Sequence, residues 1–276
     1  MPNNNQPEWQ NTFITGGASG IGLHLAKMML ASGGNVAIFD IRISDEAKAE
    51  LEQAKVNESQ KISLHCVDVR DAELVNRVVN DAANEIGQPN LALNVAGVQL
   101  AKMFDELSAQ EFEQVVAINL FGSRNYAAAV LPLMAKGSQL AFVASLAGLV
   151  PNYTYTAYCA SKHGVVALAG VLRQEYLAKG IDVSVICPPE IDTPMVMEEL
   201  KTMHPVTKEL KNLAGNISLE QACDEIVSSL QKQKFLIIPG FMARFTYCLN
   251  RIVPIVIFNK IVNNIILKTL AKQPNN

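Results

Sequence analysis

The run Thr12-Phe13-Ile14-Thr15-Gly16-Gly17-Ala18-Ser19-Gly20-Ile21-Gly22-Leu23 decides how the remaining chain is read. Thr12 to Thr15 is a short β-rich stretch, and beyond the glycines Leu23, Leu25, Ala26, Met29 and Leu30 recur at helical spacing up to Ser32-Gly33-Gly34. The order is strand, glycine turn, helix. Gly16, Gly20 and Gly22 let the backbone turn sharply and approach a pyrophosphate closely, while the helix N-terminus offers amide donors and a positive dipole end. Ser19 adds a hydroxyl. Three glycines alone also fit an ordinary tight turn, and the spacing differs from G-x-G-x-x-G; their place between the first strand and the first helix favours a dinucleotide site.

Working outward, Asn35 to Asp40 is the next apolar strand, and the charged stretch Ser44 to Gln60 predicts a surface helix capped by Ser44 or Asp45, closing a βαβ unit. Ile62 to Val69 reads as a third strand ending in Asp68, Asp71 to Ile86 as a helix, and Asn90 to Asn94 as a fourth strand running into Val95-Ala96-Gly97. Two long helices are expected within Ser108 to Met134. Gln139 to Ala144 is a fifth strand ending at Ser145, Thr156 to Ala178 a helix, and Asp182 to Cys187 a sixth strand broken by Pro188-Pro189. Met195 to Gly215, polar and interrupted by Pro205, reads as a mobile lid, Leu219 to Gln231 as a helix and Phe235 to Pro239 as a last strand.

Short continuous apolar strands alternating with helices call for an α/β fold: a Rossmann-like, doubly wound parallel sheet with helices on both faces and right-handed crossovers. No repeat or low-complexity linker marks a boundary before about Gly240. Residues 1–240 therefore read as one domain with 1–10 as a frayed tail, and 241–276 as a basic amphipathic extension.

Asp40 closes the second strand, where a carboxylate accepts hydrogen bonds from both ribose hydroxyls and repels a 2′-phosphate. That predicts NAD over NADP. Asp68 is placed to meet an adenine amino group, although both positions also suit aspartates that cap a helix or turn. The chemistry lies in Tyr158-Cys159-Ala160-Ser161-Lys162. A Tyr and a Lys one helical turn apart share a face, so the ammonium favours the phenolate and draws a pKa of about 10 toward neutrality. Alone, such a pair also fits a snorkelling lysine packed along a buried tyrosine.

With 276 residues, 49% apolar and 18% charged, the chain is able to bury one sizeable core and is not disordered over most of its length. A formal charge of -3 gives no reason to expect nucleic acid as a partner. The five cysteines form no C-x-x-C pair and have few histidines nearby, so no metal site is expected, and they read as reduced core thiols of a cytoplasmic protein. Met1 to Gln10 lacks the charged and apolar regions of a signal peptide.

Thr15-Gly16-Gly17-Ala18-Ser19-Gly20-Ile21-Gly22, Asp40, Asp68-Val69, Asn94-Val95-Ala96-Gly97, Asn119, Ser145, Tyr158-x-x-x-Lys162 and Pro188-x-x-Ile191-x-Thr193 occur in that order. The chain thereby resembles the short-chain dehydrogenase/reductase family from residue 12 to about 240. The resemblance implies a seven-stranded Rossmann-like sheet, a nicotinamide dinucleotide held along the first group of residues, and Tyr158 as acid/base. It also implies that Ser145 orients the substrate oxygen, that Lys162 binds the nicotinamide ribose and depresses the Tyr158 pKa, and that Asn119 holds a water in a proton relay. Ile21, Val69, Asn94, Ala96, Gly97, Pro188, Ile191 and Thr193 are carried over as cofactor contacts. The family's usual second Asn is here Val95, and its Pro-Gly is Pro188-Pro189. The long helices around Glu111 to Met134 and Thr156 to Ala178 would pair across a two-fold axis, giving a homodimer or homotetramer.

Within the family, Pro188 to Pro194 and the Glu-rich, Pro-bearing segment after it look like the 3-ketodihydrosphingosine reductases, which reduce a long-chain sphingoid ketone, typically with NADPH and without an Asp at the place of Asp40. The expectation is thus an NAD(H)-dependent alcohol/ketone oxidoreductase acting on a long-chain, sphingoid or sterol-like substrate. The alternatives are an NADPH-dependent 3-ketodihydrosphingosine reductase and a non-catalytic dinucleotide-binding protein of the same fold; the presence together of Asn119, Ser145, Tyr158 and Lys162 argues against the last.

Downstream of Glu225 there is no Asp or Glu, while Lys232, Lys234, Arg244, Arg251, Lys260, Lys268 and Lys272 remain. Phe241, Phe245, Leu249 and Ile252 form an apolar stripe at helical spacing, extended by Ile255 to Phe258 and Ile261 to Leu267. Residues 241–270 are expected either to rest on an anionic membrane surface at the cytoplasmic face or to pack on the protein itself. They do not look able to span a bilayer, which takes about 20 apolar residues.

Overall fold

The computed structural model describes residues 9–192, 203–213 and 215–272. Seven parallel strands form one sheet in the order β3-β2-β1-β4-β5-β6-β9: β1 Asn11–Thr15, β2 Asn35–Asp40, β3 Ile62–Cys66, β4 Leu91–Asn94, β5 Gln139–Val143, β6 Asp182–Ile186 and β9 Leu236–Ile237. The strand order reverses beside β1, where Thr15 lies between Phe39 of β2 and Asn94 of β4. A crevice therefore opens outside the carboxyl ends of the strands at that point.

Helices α1 (Gly20–Ala31), α2 (Asp45–Gln53) and α8 (Leu219–Gln231) cover one face, burying Leu25, Met29, Leu51, Ile226 and Leu230. Helices α3 (Ala72–Ile86), α5 (Gly122–Val130) and α6 (Thr156–Tyr176) cover the other, burying Val79, Tyr126 and Val165 against Phe13, Phe39 and Phe142. Each fully buried Leu or Phe contributes about 1.5–3 kcal/mol. Tyr126 also satisfies its hydroxyl by donating to the Phe13 carbonyl at 2.8 Å.

Several boundaries follow from side chains acting at a distance. Helix α2 is capped by Ser44, which accepts from Ala47 N, and ends at Gln53 instead of Gln60. The reason is Gln60, whose buried amide donates to the Leu30 and Gly34 carbonyls at 2.8 and 2.7 Å and draws the chain back to the end of α1. The two separate helices expected before Met134 are one nearly continuous rod: α4 (Ala109–Val116) passes through a π turn at Ala117–Phe121 straight into α5. Pro205 begins helix α7 (Pro205–Asn212) and does not break one, since Pro suits a first helical turn. Residues 195–202 and 214 of the expected lid lie outside the described residues. A small parallel pair, β7 (Glu190–Asp192) with β8 (Asn216–Ser218), was not foreseen. Helices α9 (Phe241–Ile252) and α10 (Ile255–Leu270) follow the sheet, and α10 packs on α7. Among the described residues the cysteines are unpaired, but Cys66 and Cys248 are exposed, so only Cys159, Cys187 and Cys223 are core thiols.

Candidate active site

The glycine turn is closed by backbone contacts. Gly16, at φ +64°, donates its N–H to the Phe39 carbonyl at 2.8 Å. A Cβ on Gly16 would stand 2.7 Å from Ala96 N, and one on Gly22 would stand 2.0 Å from the Gly16 carbonyl oxygen. Neither position has room for a side chain. Gly20, at φ +50°, faces open space over the first turn of α1, and exposed Ser19 makes no side-chain capping bond there. Thr15 Oγ1 accepts from Asn94 Nδ2, Val95 N and Ala96 N at 3.0 to 3.2 Å, tying the turn to the loop after β4. Ser123 in turn donates to Asn94 Oδ1 at 2.6 Å.

Asp40 stands at the end of β2 with Oδ2 accepting from Ala18 N at 3.0 Å. Asp68 is gripped by Arg70, whose Nε lies 2.9 Å from Oδ2, and that hydrogen bonding holds its carboxyl below the usual range. Val69 is buried, and its carbonyl accepts from Asn125 Nδ2 at 3.0 Å.

Ser145, at the end of β5, has an extended backbone and accepts from Ala147 N at 3.1 Å. Gly148, three residues later at the end of a single 3-10 turn, lies so close to α6 that a Cβ would meet the Lys162 carbonyl oxygen at 2.8 Å. Lys162 is buried; its Nζ sits 5.8 Å from the Tyr158 ring centroid and donates to the Val143 carbonyl at 2.9 Å. Burial pulls its pKa down to about 8, because the ammonium loses water and gains no carboxylate.

Asn119 occupies the π turn and is fully buried. Its Nδ2 donates to the Val98 carbonyl (2.9 Å) and Ser161 Oγ (3.0 Å), and its Oδ1 accepts from Val98 N (2.8 Å). The carboxamide is thus committed to clamping the loop after β4 against α6. Its backbone carbonyl already accepts from Ser123 at 2.5 Å.

Pro188 is buried and accepts from Leu146 N at 2.8 Å, and Ile191 is buried in β7. Thr193 lies outside the described residues. Gly16, Ser19, Gly20, Ile21, Asp40, Asp68, Val69, Ala96, Gly97, Ser145, Tyr158, Lys162, Pro188 and Ile191 all line one cavity of about 1120 Å³. Asn94, Asn119 and Gly22 stand behind its wall as supports.

Other residues of this site were missed. Tyr155, buried beside Tyr158 with ring centroids 5.6 Å apart, accepts from Gln99 Nε2 at 2.8 Å. Lys211 of α7 pairs with Glu190 of β7 at 3.0 Å, the side chains only 12% and 6% exposed. No local pattern announces either group, because each depends on segments far apart in sequence.

The short chain dehydrogenase profile matches residues 10–204. The chain belongs to the short-chain dehydrogenase family. It is 31% identical over 241 residues to 3-dehydrosphinganine reductase TSC10B of Arabidopsis thaliana, covering 85% of this chain and 71% of that one. It is likewise 31% identical to the 3-ketodihydrosphingosine reductase of Mus musculus (82% and 69% covered) and 30% identical to a D-beta-hydroxybutyrate dehydrogenase of Cupriavidus necator (81% and 83%). Among solved structures it resembles a short chain dehydrogenase from Mycobacterium paratuberculosis bound to NAD (TM-score 0.76, 23% identity, 87% and 98% covered). It also resembles levodione reductase (TM-score 0.75, 24% identity, 85% and 98% covered). These likenesses carry the fold.

A short-chain dehydrogenase is an oxidoreductase that takes a nicotinamide dinucleotide, which supplies or accepts hydride. The residues present fit that group: the open face of Gly20 adjoins a helix N-terminus, and the cavity runs from there past Asp40 to Tyr158.

Proposed function

We propose that this short-chain dehydrogenase interconverts a secondary alcohol and a ketone with NAD(H), on a lipophilic long-chain, sphingoid or sterol-like substrate. Residues 1–240 form the catalytic domain in this reading and 241–276 an appended helical extension. Tyr158 exchanges the proton with the substrate oxygen, and Ser145 hydrogen-bonds that oxygen and steadies its developing charge. Lys162 lowers the cost of the phenolate and binds the nicotinamide ribose. The observation that carries the reading is the shared cavity: Tyr158, Ser145 and Lys162 open onto the same space as apolar Val98, Ile118, Val150 and Phe258. An apolar wall beside a proton donor suits an alkyl ketone better than a charged metabolite.

Asp40 supports NAD, because its carboxylate edges the cavity at the end of β2 and would repel a 2′-phosphate. The sphingoid-ketone reading with NADPH is favoured instead by the likeness to 3-ketodihydrosphingosine reductases, here 31% identical. Steady-state reduction of a long-chain ketone with NADH and NADPH separates the two. We expect NADH to be preferred, and a more than tenfold preference for NADPH would overturn the use made of Asp40.

Two further features belong to this reading. Phe121 and Val171, 59% and 52% exposed on the α4–α5 rod and α6, support self-association through those helices into a homodimer or homotetramer. Phe241, Phe245 and Ile252 of α9, 72%, 48% and 80% exposed beside Arg244 and Arg251, support peripheral contact with an anionic membrane at the cytoplasmic face. Among the described residues no helix is long and apolar enough to cross a membrane.

A further inference from the structure

The family match ends at residue 204, yet part of the cavity wall comes from beyond it: Leu210, Lys211 and Leu213 at the end of α7, Thr246 of α9, and Phe258 and Val262 of α10. This wall is anchored to the loop that precedes α6. Buried Thr207 of α7 donates to the Tyr153 carbonyl at 3.1 Å and lies 2.9 Å from the Thr154 hydroxyl, just ahead of α6. The Lys211–Glu190 ion pair fixes α7 to β7, and Thr246 donates to the Leu213 carbonyl at 3.0 Å, fixing α9 to the end of α7. Helix α10 packs on α7 and turns Phe258 and Val262, one turn apart, toward the cavity. Its other sides carry Val256, Ile257, Ile261 and Leu267, 51 to 69% exposed.

Resting on the lipophilic-substrate reading, we infer that Leu213, Phe258 and Val262 seat the alkyl chain of the substrate and set the chain length the enzyme prefers. The seat is continuous with the space beside Tyr158, so a ketone held there extends its chain toward α10. Burying a methylene is worth about 0.8 kcal/mol, which corresponds to roughly three- to fourfold in affinity. A chain therefore gains with each carbon until it fills the space under Val262 and then gains no more.

The test uses the full-length protein and a homologous series of linear ketones with NADH or NADPH, whichever the enzyme accepts. For the native protein kcat/KM is expected to rise about three- to fourfold per methylene to a plateau. Val262→Trp fills the seat, so the plateau moves to shorter chains and the KM of the longest ketone rises about tenfold, with the shortest ketone and the cofactor KM within about twofold. Phe258→Ala moves the plateau to longer chains. Melting temperature and dinucleotide binding verify that each variant is folded. A native profile flat in chain length overturns the lipophilic reading together with this inference. A rising native profile that neither substitution displaces, or a loss equal for short and long ketones, overturns the inference alone.

Discussion

The glycine-turn side and the α7–α10 side of the cavity are built in opposite ways. Around β1 and β4 the wall is backbone: Gly16 rests on Ala96 N, Gly22 on the Gly16 carbonyl, and Thr15 gathers three donors from the neighbouring loop. Across the cavity, the α7–α10 wall is made of side chains on helices, among them Leu213, Phe258 and Val262. At Gly16 and Gly22 the backbone leaves no room for one atom more, whereas a side-chain wall is reshaped by changing one residue. In the proposed reading the first serves the dinucleotide and the second the substrate.

The largest expected effect sharpens this contrast at Gly22. A Cβ 2.0 Å from a carbonyl oxygen is not relieved by a rotamer change, so Gly22→Ala should cost more than about 4 kcal/mol, or abolish folding, in urea unfolding. Leu213→Ala, at a side chain 42% exposed, should cost less than about 1.5 kcal/mol. Equal losses at the two sites would erase the distinction.

Next in size is the effect at Tyr158, the proposed proton donor. Tyr158→Phe keeps the ring packed against Tyr155 but removes the hydroxyl, and turnover should fall about a thousandfold while dinucleotide affinity, read by fluorescence titration, stays within about twofold. Retained turnover would remove Tyr158 from proton transfer.

A smaller effect concerns Lys162, whose burial lowers its pKa from 10.5 to about 8. Between those values the unfolded chain holds one proton more than the folded one, so stability rises with pH across the window. The penalty is complete below about pH 8 and gone above about 10.5, spanning roughly 3 kcal/mol at 1.36 kcal/mol per unit. Urea midpoints should climb from pH 8 toward 10 in the native protein more steeply than in Lys162→Met; parallel slopes would contradict the cause assigned to the shift.

Legibility divides along the same line. Strands β1 to β6 and helices α1, α3 and α6 were readable because continuous apolar runs and amphipathic periods are local, and the glycine turn was readable because close backbone approach is written as missing side chains. What escaped was non-local. Gln60 shortens α2 by bonding to the end of α1, and Asn119 meets Val98 and Ser161 only once α5 and α6 are packed. Likewise Glu190 finds Lys211 across the gap between β7 and α7, and nothing in the apolar stripe of α10 tells that one face borders a cavity while others stay exposed.

The two walls are expected to act independently, one on the dinucleotide and one on the substrate. A double-mutant cycle of Asp40→Ala and Val262→Trp, read as kcat/KM for a long-chain ketone at a fixed NADH concentration below the NADH KM, measures that independence. The two losses should add to within about 0.5 kcal/mol, with Asp40→Ala confined to the NADH KM and Val262→Trp to the ketone KM. A coupling of more than about 1 kcal/mol, or a ketone KM shifted by Asp40→Ala as much as by Val262→Trp, would contradict it.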